Sequence, residues 1–139
     1  MRKLDANETI EVAAGLVFRD SKLLITQRRP EDHLGGLWEF PGGKRESDES
    51  FKDCLRRELR EELGIEVEPQ HLILQVRHEY SEKTVEIQFF RCAWKSREPQ
   101  ALGCQSFKWV ERAELSAHTF PAADAKLVAM LIGSLDFWR

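Results

Sequence analysis

At 139 residues, 42% apolar and 32% charged, with a formal net charge of −3, the chain has the composition of one globular domain with a full core. That charge gives no bulk electrostatic case for binding duplex nucleic acid, and no apolar run approaches the ~18 residues of a membrane span. Cys54, Cys92 and Cys104 are odd in number and widely spaced, with no CxxC pair, so reduced thiols and a cytoplasmic location are expected. The N-terminus has no apolar signal core. No repeat, linker or low-complexity stretch divides the chain, so a single domain over 1–139, acting as a monomer without membrane partners, is expected.

Thr9 to Phe18 reads as a strand with a near-continuous apolar centre, as in a strand covered on both faces. A polar turn, Arg19 to Lys22, leads to a second strand, Leu23 to Gln27, so the two form a hairpin. Arg28 and Arg29 follow, and Pro30 ends the strand. Arginines at a strand end are either solvated or aimed at phosphate or a base. His33 lies in the next loop. Leu37 to Lys44 sets bulky residues against Pro41-Gly42-Gly43, a strand end beside a tight loop whose glycines allow close approach to the backbone. Lys44 has the charge to meet phosphate.

Next comes an amphipathic helix. Phe51, Leu55, Leu59 and Leu63 recur at i, i+4 and form one apolar stripe. Ser47 or Asp48 is expected to cap its start, and Gly64 to stop it. Glu58, Glu61 and Glu62 converge on the opposite face. Like charges at this spacing destabilise a helix by roughly 0.2–0.5 kcal/mol per pair. Either Arg56, Arg57 and Arg60 neutralise them, with Arg57 and Glu61 at i, i+4, or a hard divalent cation does.

Glu66 to Pro69 reads as a connector. Leu72 to Ser81 and Thr84 to Trp94 read as strands joined by a turn around Glu82 and Lys83, with Val85, Ile87 and Phe89 alternating with Glu86 and Gln88. A polar loop over 95–104 precedes a short strand, Phe107 to Val110, and a helical turn near Glu111 to Leu115. A last helix is expected from Pro121, with Leu127, Leu131 and Leu135 on one face and Val128 and Ile132 beside them. Asp124, in its first turn, complements the helix dipole or belongs to a site. Strands, helix, strands, helix suits an α/β fold with a mixed sheet between helices.

Residues 43 to 65 resemble the Nudix box, G-x5-E-x7-R-E-U-x-E-E-x-G-U with U aliphatic. Gly43, Glu49, Arg57, Glu58, Leu59, Glu61, Glu62, Gly64 and Ile65 fill every defined position. The resemblance implies an α/β/α sandwich and a loop–helix–loop that binds Mg2+, or Mn2+, to cleave a nucleoside diphosphate linked to another group. Three stretches, Leu24 to Arg29, Leu37 to Lys44 and Phe120 to Asp124, resemble the MutT branch, which hydrolyses nucleoside triphosphates, 8-oxo-dGTP above all, to monophosphate and pyrophosphate. By that similarity Arg28, His33, Glu39, Phe40, Pro41 and Gly42 contact the nucleotide. The Gly42 carbonyl and Glu62 bind metal, Glu58 and Glu61 complete the site, Arg57 orients a carboxylate and Glu49 supports the loop.

Two positions depart from the pattern. Asp124 stands where MutT has an asparagine that reads the oxidised purine. Relatives acting on cytidine and modified pyrimidine triphosphates carry aspartate there. Gly103 stands where many members place a loop glutamate, six residues before the strand tryptophan, here Trp109. The metal and base work therefore falls on the box glutamates. The resemblance implies nucleotide-pool sanitation by 8-oxo-dGTP hydrolysis, with pyrimidine triphosphates as the alternative substrates. A third possibility is a non-catalytic domain like the C-terminal recognition domain of adenine glycosylases, against which the complete box argues.

Overall fold

A computed structural model describes residues 9–139; the N-terminal reading of residues 1–8 lies outside them. The strands are β1 (Thr9–Arg19), β2 (Lys22–Gln27), β3 (Trp38–Glu39), β4 (Gly42–Lys44), β5 (Glu66–Glu79), β6 (Thr84–Ser96) and β7 (Ser106–Val110). The helices are α1 (Phe51–Leu63) and α2 (Ala125–Gly133), with 3₁₀ turns at Arg112–Ala117, Ala122–Asp124 and Leu135–Trp138.

All seven strands join one mixed sheet. The β1–β2 hairpin turns at Asp20 and Ser21, both with positive φ (53° and 63°), the twist that suits a two-residue hairpin loop. β1 then runs parallel to β6 from Thr9↔Thr84 to Phe18↔Ala93, and β6 pairs antiparallel with β5 across a second hairpin. β5 is longer than its apolar pattern suggests. It begins at Glu66, within the expected connector, and absorbs its irregularity as register shifts near Pro69 and Leu72.

The feature that places the site is a fork. β1 and β2 pair only next to their turn, at Phe18↔Leu23 and Arg19↔Lys22. Beyond it they diverge, and residues 38–44 fill the gap. β3 pairs with the far end of β2, the Gly15 N–H donates to the Pro41 carbonyl at 2.8 Å, and β4 pairs with β1 from Val12↔Lys44 to Ala14↔Gly42. The outer edge of β2 carries β7.

Strand alternation sorts the core into two layers. Ala13, Val17, Leu24, Phe90 and Cys92 face the Leu55, Leu59 and Leu63 stripe of α1. Ala14, Leu16, Leu23, Ile25, Ile87 and Phe89 face Leu127 and Leu131 of α2. The result is the expected α/β/α sandwich, and β1 is covered on both faces. Each fully buried leucine contributes roughly 1.5–3 kcal/mol.

Three local expectations change. Ser50, not Ser47 or Asp48, caps α1, its side chain accepting the Asp53 N–H at 3.0 Å. Gly64 stops the helix as expected, at φ 69° in the left-handed region. Leu135 does not continue the α2 stripe: the helix ends at Gly133, Ser134 turns extended, and Leu135 is 58% exposed. The last helix also starts later, because Pro121 opens a 3₁₀ turn and α2 proper begins at Ala125. No helix among the described residues is long and apolar enough to cross a membrane, and the three cysteines are free and buried.

Candidate active site

The site lies where residues 38–44 cross the fork, with a cleft on the α2 face and the acidic patch of α1 behind it. The α1 stripe fixes the helix against the sheet, so the glutamates on its other edges face the glycine turn. Gly43 is the closest approach. A Cβ there would collide with the carboxyl group of Glu58, so the missing side chain is what lets Glu58 lie on the turn.

Arg57 organises these acids. Its guanidinium donates to both Glu49 oxygens, at 2.7 and 3.1 Å, to Glu58 Oε2 at 2.8 Å, to Glu61 Oε1 at 3.2 Å and to the Lys44 carbonyl at 3.1 Å. The helix-to-loop brace is therefore charge-assisted and bidentate at Glu49. Hydrogen bonding from Arg57 holds the Glu49 carboxyl down at about 2. Burial raises the Glu58 carboxyl from its ordinary value, and Arg57 works against that rise. Arginine thus neutralises Glu58 and Glu61, but not Glu62.

Glu62 Oε1 is buried and has no hydrogen-bond partner among the described residues. Burial pushes this carboxyl up to about 8, the Glu39 carboxylate adds to the push, and the Gly42 backbone opposes it. A buried polar atom without a partner costs about 1–3 kcal/mol, which a cation at this point would remove. Among the described residues no three His, Cys, Asp or Glu side chains gather closely enough to hold a metal by themselves. A hard cation held by one or two carboxylates and completed by water and substrate phosphate suits this donor set. The loop bearing Gly103 packs on the helix end: the Leu102 and Gly103 N–H groups donate to the Glu62 carbonyl at 3.0 and 2.9 Å. It brings no carboxylate to the site.

The cleft is lined by Arg28, His33, Glu39, Phe40, Gly42, Gly43, Lys44 and Asp124, among others. Arg28 is already engaged. It donates to the His33 carbonyl at 2.6 Å and to Glu39 at 3.2 and 3.3 Å, so it shapes the loop and balances Glu39. Phe40 is 3% exposed and stacks on Phe120, with ring centroids 5.1 Å apart; it belongs to the core as much as to the cleft. Lys44 is exposed and makes no ion pair among the described residues. Pro41 is buried and outside the cleft lining, its carbonyl used to bridge the fork. Arg57, Glu58, Glu61 and Glu62 also lie outside that lining, behind Gly42 and Gly43.

Asp124 occupies the N-cap position of α2 without making a side-chain capping bond. It is 5% exposed. Burial, with the Glu39 charge adding, pushes its carboxyl up to about 7. Near neutral pH it therefore exists both as an acceptor and as a donor. Sequence reasoning missed Tyr80, Lys83 and Pro121 in the lining. Val76, His78 and Tyr80 alternate along the β5 hairpin on the face that packs against the α2-side core, which was the available signal for Tyr80.

The Nudix domain family model matches residues 13–130. The chain is 36% identical over 119 residues to the CTP pyrophosphohydrolase of Escherichia coli K12, covering 86% of this chain and 88% of that one. It is 35% identical over 124 residues to the 8-oxo-dGTP diphosphatase of Haemophilus influenzae, covering 88% and 91%. Among solved structures it superposes on the MutT protein of Methanosarcina mazei Go1 with a TM-score of 0.82 at 26% identity, over 93% of this chain and 96% of that one.

Proposed function

The chain belongs to the Nudix hydrolase family, and on that premise we propose that it is a Mg2+-dependent nucleoside triphosphate pyrophosphohydrolase, with Mn2+ as a substitute. In this reading one domain cleaves 8-oxo-dGTP to the monophosphate and pyrophosphate, and so clears an oxidised nucleotide from the pool. The observation that carries it is the buried, unpartnered Glu62 oxygen beside Gly42, backed by acids that Arg57 holds in place. The relatives named 8-oxo-dGTP diphosphatase support the substrate.

Glu62 and the Gly42 carbonyl would hold the cation, with Glu58 and Glu61 completing the site around it. A bound divalent ion neutralises phosphate charge and lowers the pKa of water at the site. The protein's own part is positioning. Arg57 fixes Glu58 and Glu61, Glu49 fixes Arg57, and Gly43 gives Glu58 its place on the turn. Lys44 offers charge to the phosphates, while Asp124 and His33, which line the cleft, would meet the nucleoside. With Gly103 supplying no carboxylate, one of the box glutamates would take the proton from the attacking water.

A second reading rests on Asp124. An aspartate that exchanges between acceptor and donor near neutral pH suits the amine-bearing edge of cytosine, and a CTP pyrophosphohydrolase is among the relatives. Comparing kcat/KM for 8-oxo-dGTP and 5-methyl-dCTP at matched concentrations separates the two. A tenfold or larger preference for 8-oxo-dGTP supports the first reading, and the reverse preference establishes the second.

A further inference from the structure

Tyr80, the one tyrosine of the chain, lines the same cleft as Asp124. Its phenolic oxygen accepts the Ala123 N–H at 3.2 Å. The end of the β5–β6 hairpin is thereby tied to the backbone of the 3₁₀ turn that carries Asp124. The ring is flanked edge-on by His78, with centroids 4.5 Å apart, and by His33 at 6.2 Å, so its orientation is fixed by neighbours other than the hydroxyl. Because the oxygen already accepts a hydrogen bond, the phenolic proton remains available to donate. No acceptor among the described residues takes it.

Asp124 is 5% exposed and makes no capping hydrogen bond. Burial raises the Tyr80 phenol first, the Ala123 amide opposes that rise, and the Asp124 charge adds to it, so the two groups lie within each other's field. The Tyr80 hydroxyl is bonded to the residue next to Asp124 and both side chains line one cleft, so a donor stands near an acceptor. The bases of both substrate classes present the complement, an acceptor next to an N–H donor.

We infer that Tyr80 is a second base-selecting residue: its hydroxyl anchors the Ala123–Asp124 backbone and donates to the base edge that Asp124 reads. This rests on the cleft being the nucleotide site. It assigns the hydroxyl a role apart from the packing of the ring. A site that hydrogen-bonds a substrate group discriminates by that bond far more than a site that packs around it.

Tyr80→Phe removes one oxygen and keeps the ring with its histidine neighbours. Steady-state kinetics on 8-oxo-dGTP, dGTP, CTP and 5-methyl-dCTP provide the readout. The selectivity ratio between the best and poorest nucleotide is expected to fall about tenfold, carried by a higher KM for the best one, while kcat changes less than about threefold. The effects of Tyr80→Phe and Asp124→Asn on that ratio are expected to be non-additive, because both act on one base edge. An unchanged ratio overturns the inference, as does an equal loss of kcat on all four nucleotides. If the unmodified enzyme turns over none of the four, the functional reading has failed, and Tyr80 is tested by calorimetric binding of the four monophosphates. Selective weakening by Tyr80→Phe then sustains the inference, and uniform or absent change overturns it.

Discussion

Acidification should weaken metal binding at this site, and Glu62 should be the cause. Its carboxyl is pushed up to about 8 by burial, so below that pH an incoming cation must displace a proton. The ionised fraction falls from one half at pH 8 to about 1% at pH 6, so apparent affinity should drop about fiftyfold, ~2.3 kcal/mol. Calorimetric titration of Mg2+ or Mn2+ at several pH values measures this directly. Repeating the titration in buffers of different ionisation enthalpy counts the proton released. The same shift governs the metal-free fold with the opposite benefit. A carboxyl raised in the folded state stays protonated there while the unfolded chain ionises, so stability falls as pH rises from about 4.3 through about 8. Glu62→Gln should remove both effects, since an amide neither titrates nor serves as a hard anionic ligand. Metal affinity constant within twofold from pH 6 to pH 8, or a Gln variant that binds as well as the parent, would refute the reasoning.

Other outcomes follow from the packing around the site. Gly43→Ala places a methyl group in the space of the Glu58 carboxyl; kcat should fall on the order of 100-fold, ~2.7 kcal/mol in barrier, with the circular dichroism spectrum unchanged. Arg57→Lys keeps the charge and loses the bidentate grip on Glu49 together with one of the bonds to Glu58 and Glu61. Turnover should fall at least tenfold with KM little changed, because the pair is not interchangeable at a forked contact. Leu59→Ala empties a fully buried position in the α1 layer and should cost about 2–5 kcal/mol, read from chemical denaturation. Ser50→Ala removes the α1 cap and should cost about 1 kcal/mol by the same assay.

Much of this molecule was legible before its structure, and the reasons are local. The α1 stripe at i, i+4 and the glycine at its end describe a helix whatever surrounds it. The alternation of β6 assigns Val85, Ile87 and Phe89 to one face without knowing the partner strands. What escaped depends on tertiary choice. Ser47, Asp48 and Ser50 all have capping chemistry, and the winner emerged only with the loop folded on Arg57 through Glu49. Leu135 continued a numerical pattern that Ser134 breaks by turning extended. Site residues divide the same way. The acidic face of α1 was readable, but that Arg57 satisfies Glu58 and Glu61 while Glu62 keeps a bare buried oxygen is a matter of side-chain reach. Tyr80 was missed: period-two alternation could place it on a face, yet only the β5–β6 hairpin carries it to the turn before α2.

Product analysis of a single nucleotide incubation tests the proposed activity most directly. Purified protein with 8-oxo-dGTP and Mg2+ should release monophosphate and pyrophosphate in equal amounts, with release abolished by a chelator and restored by added Mg2+ or Mn2+. Release of inorganic phosphate in place of pyrophosphate, or turnover that survives removal of every divalent ion, would contradict it.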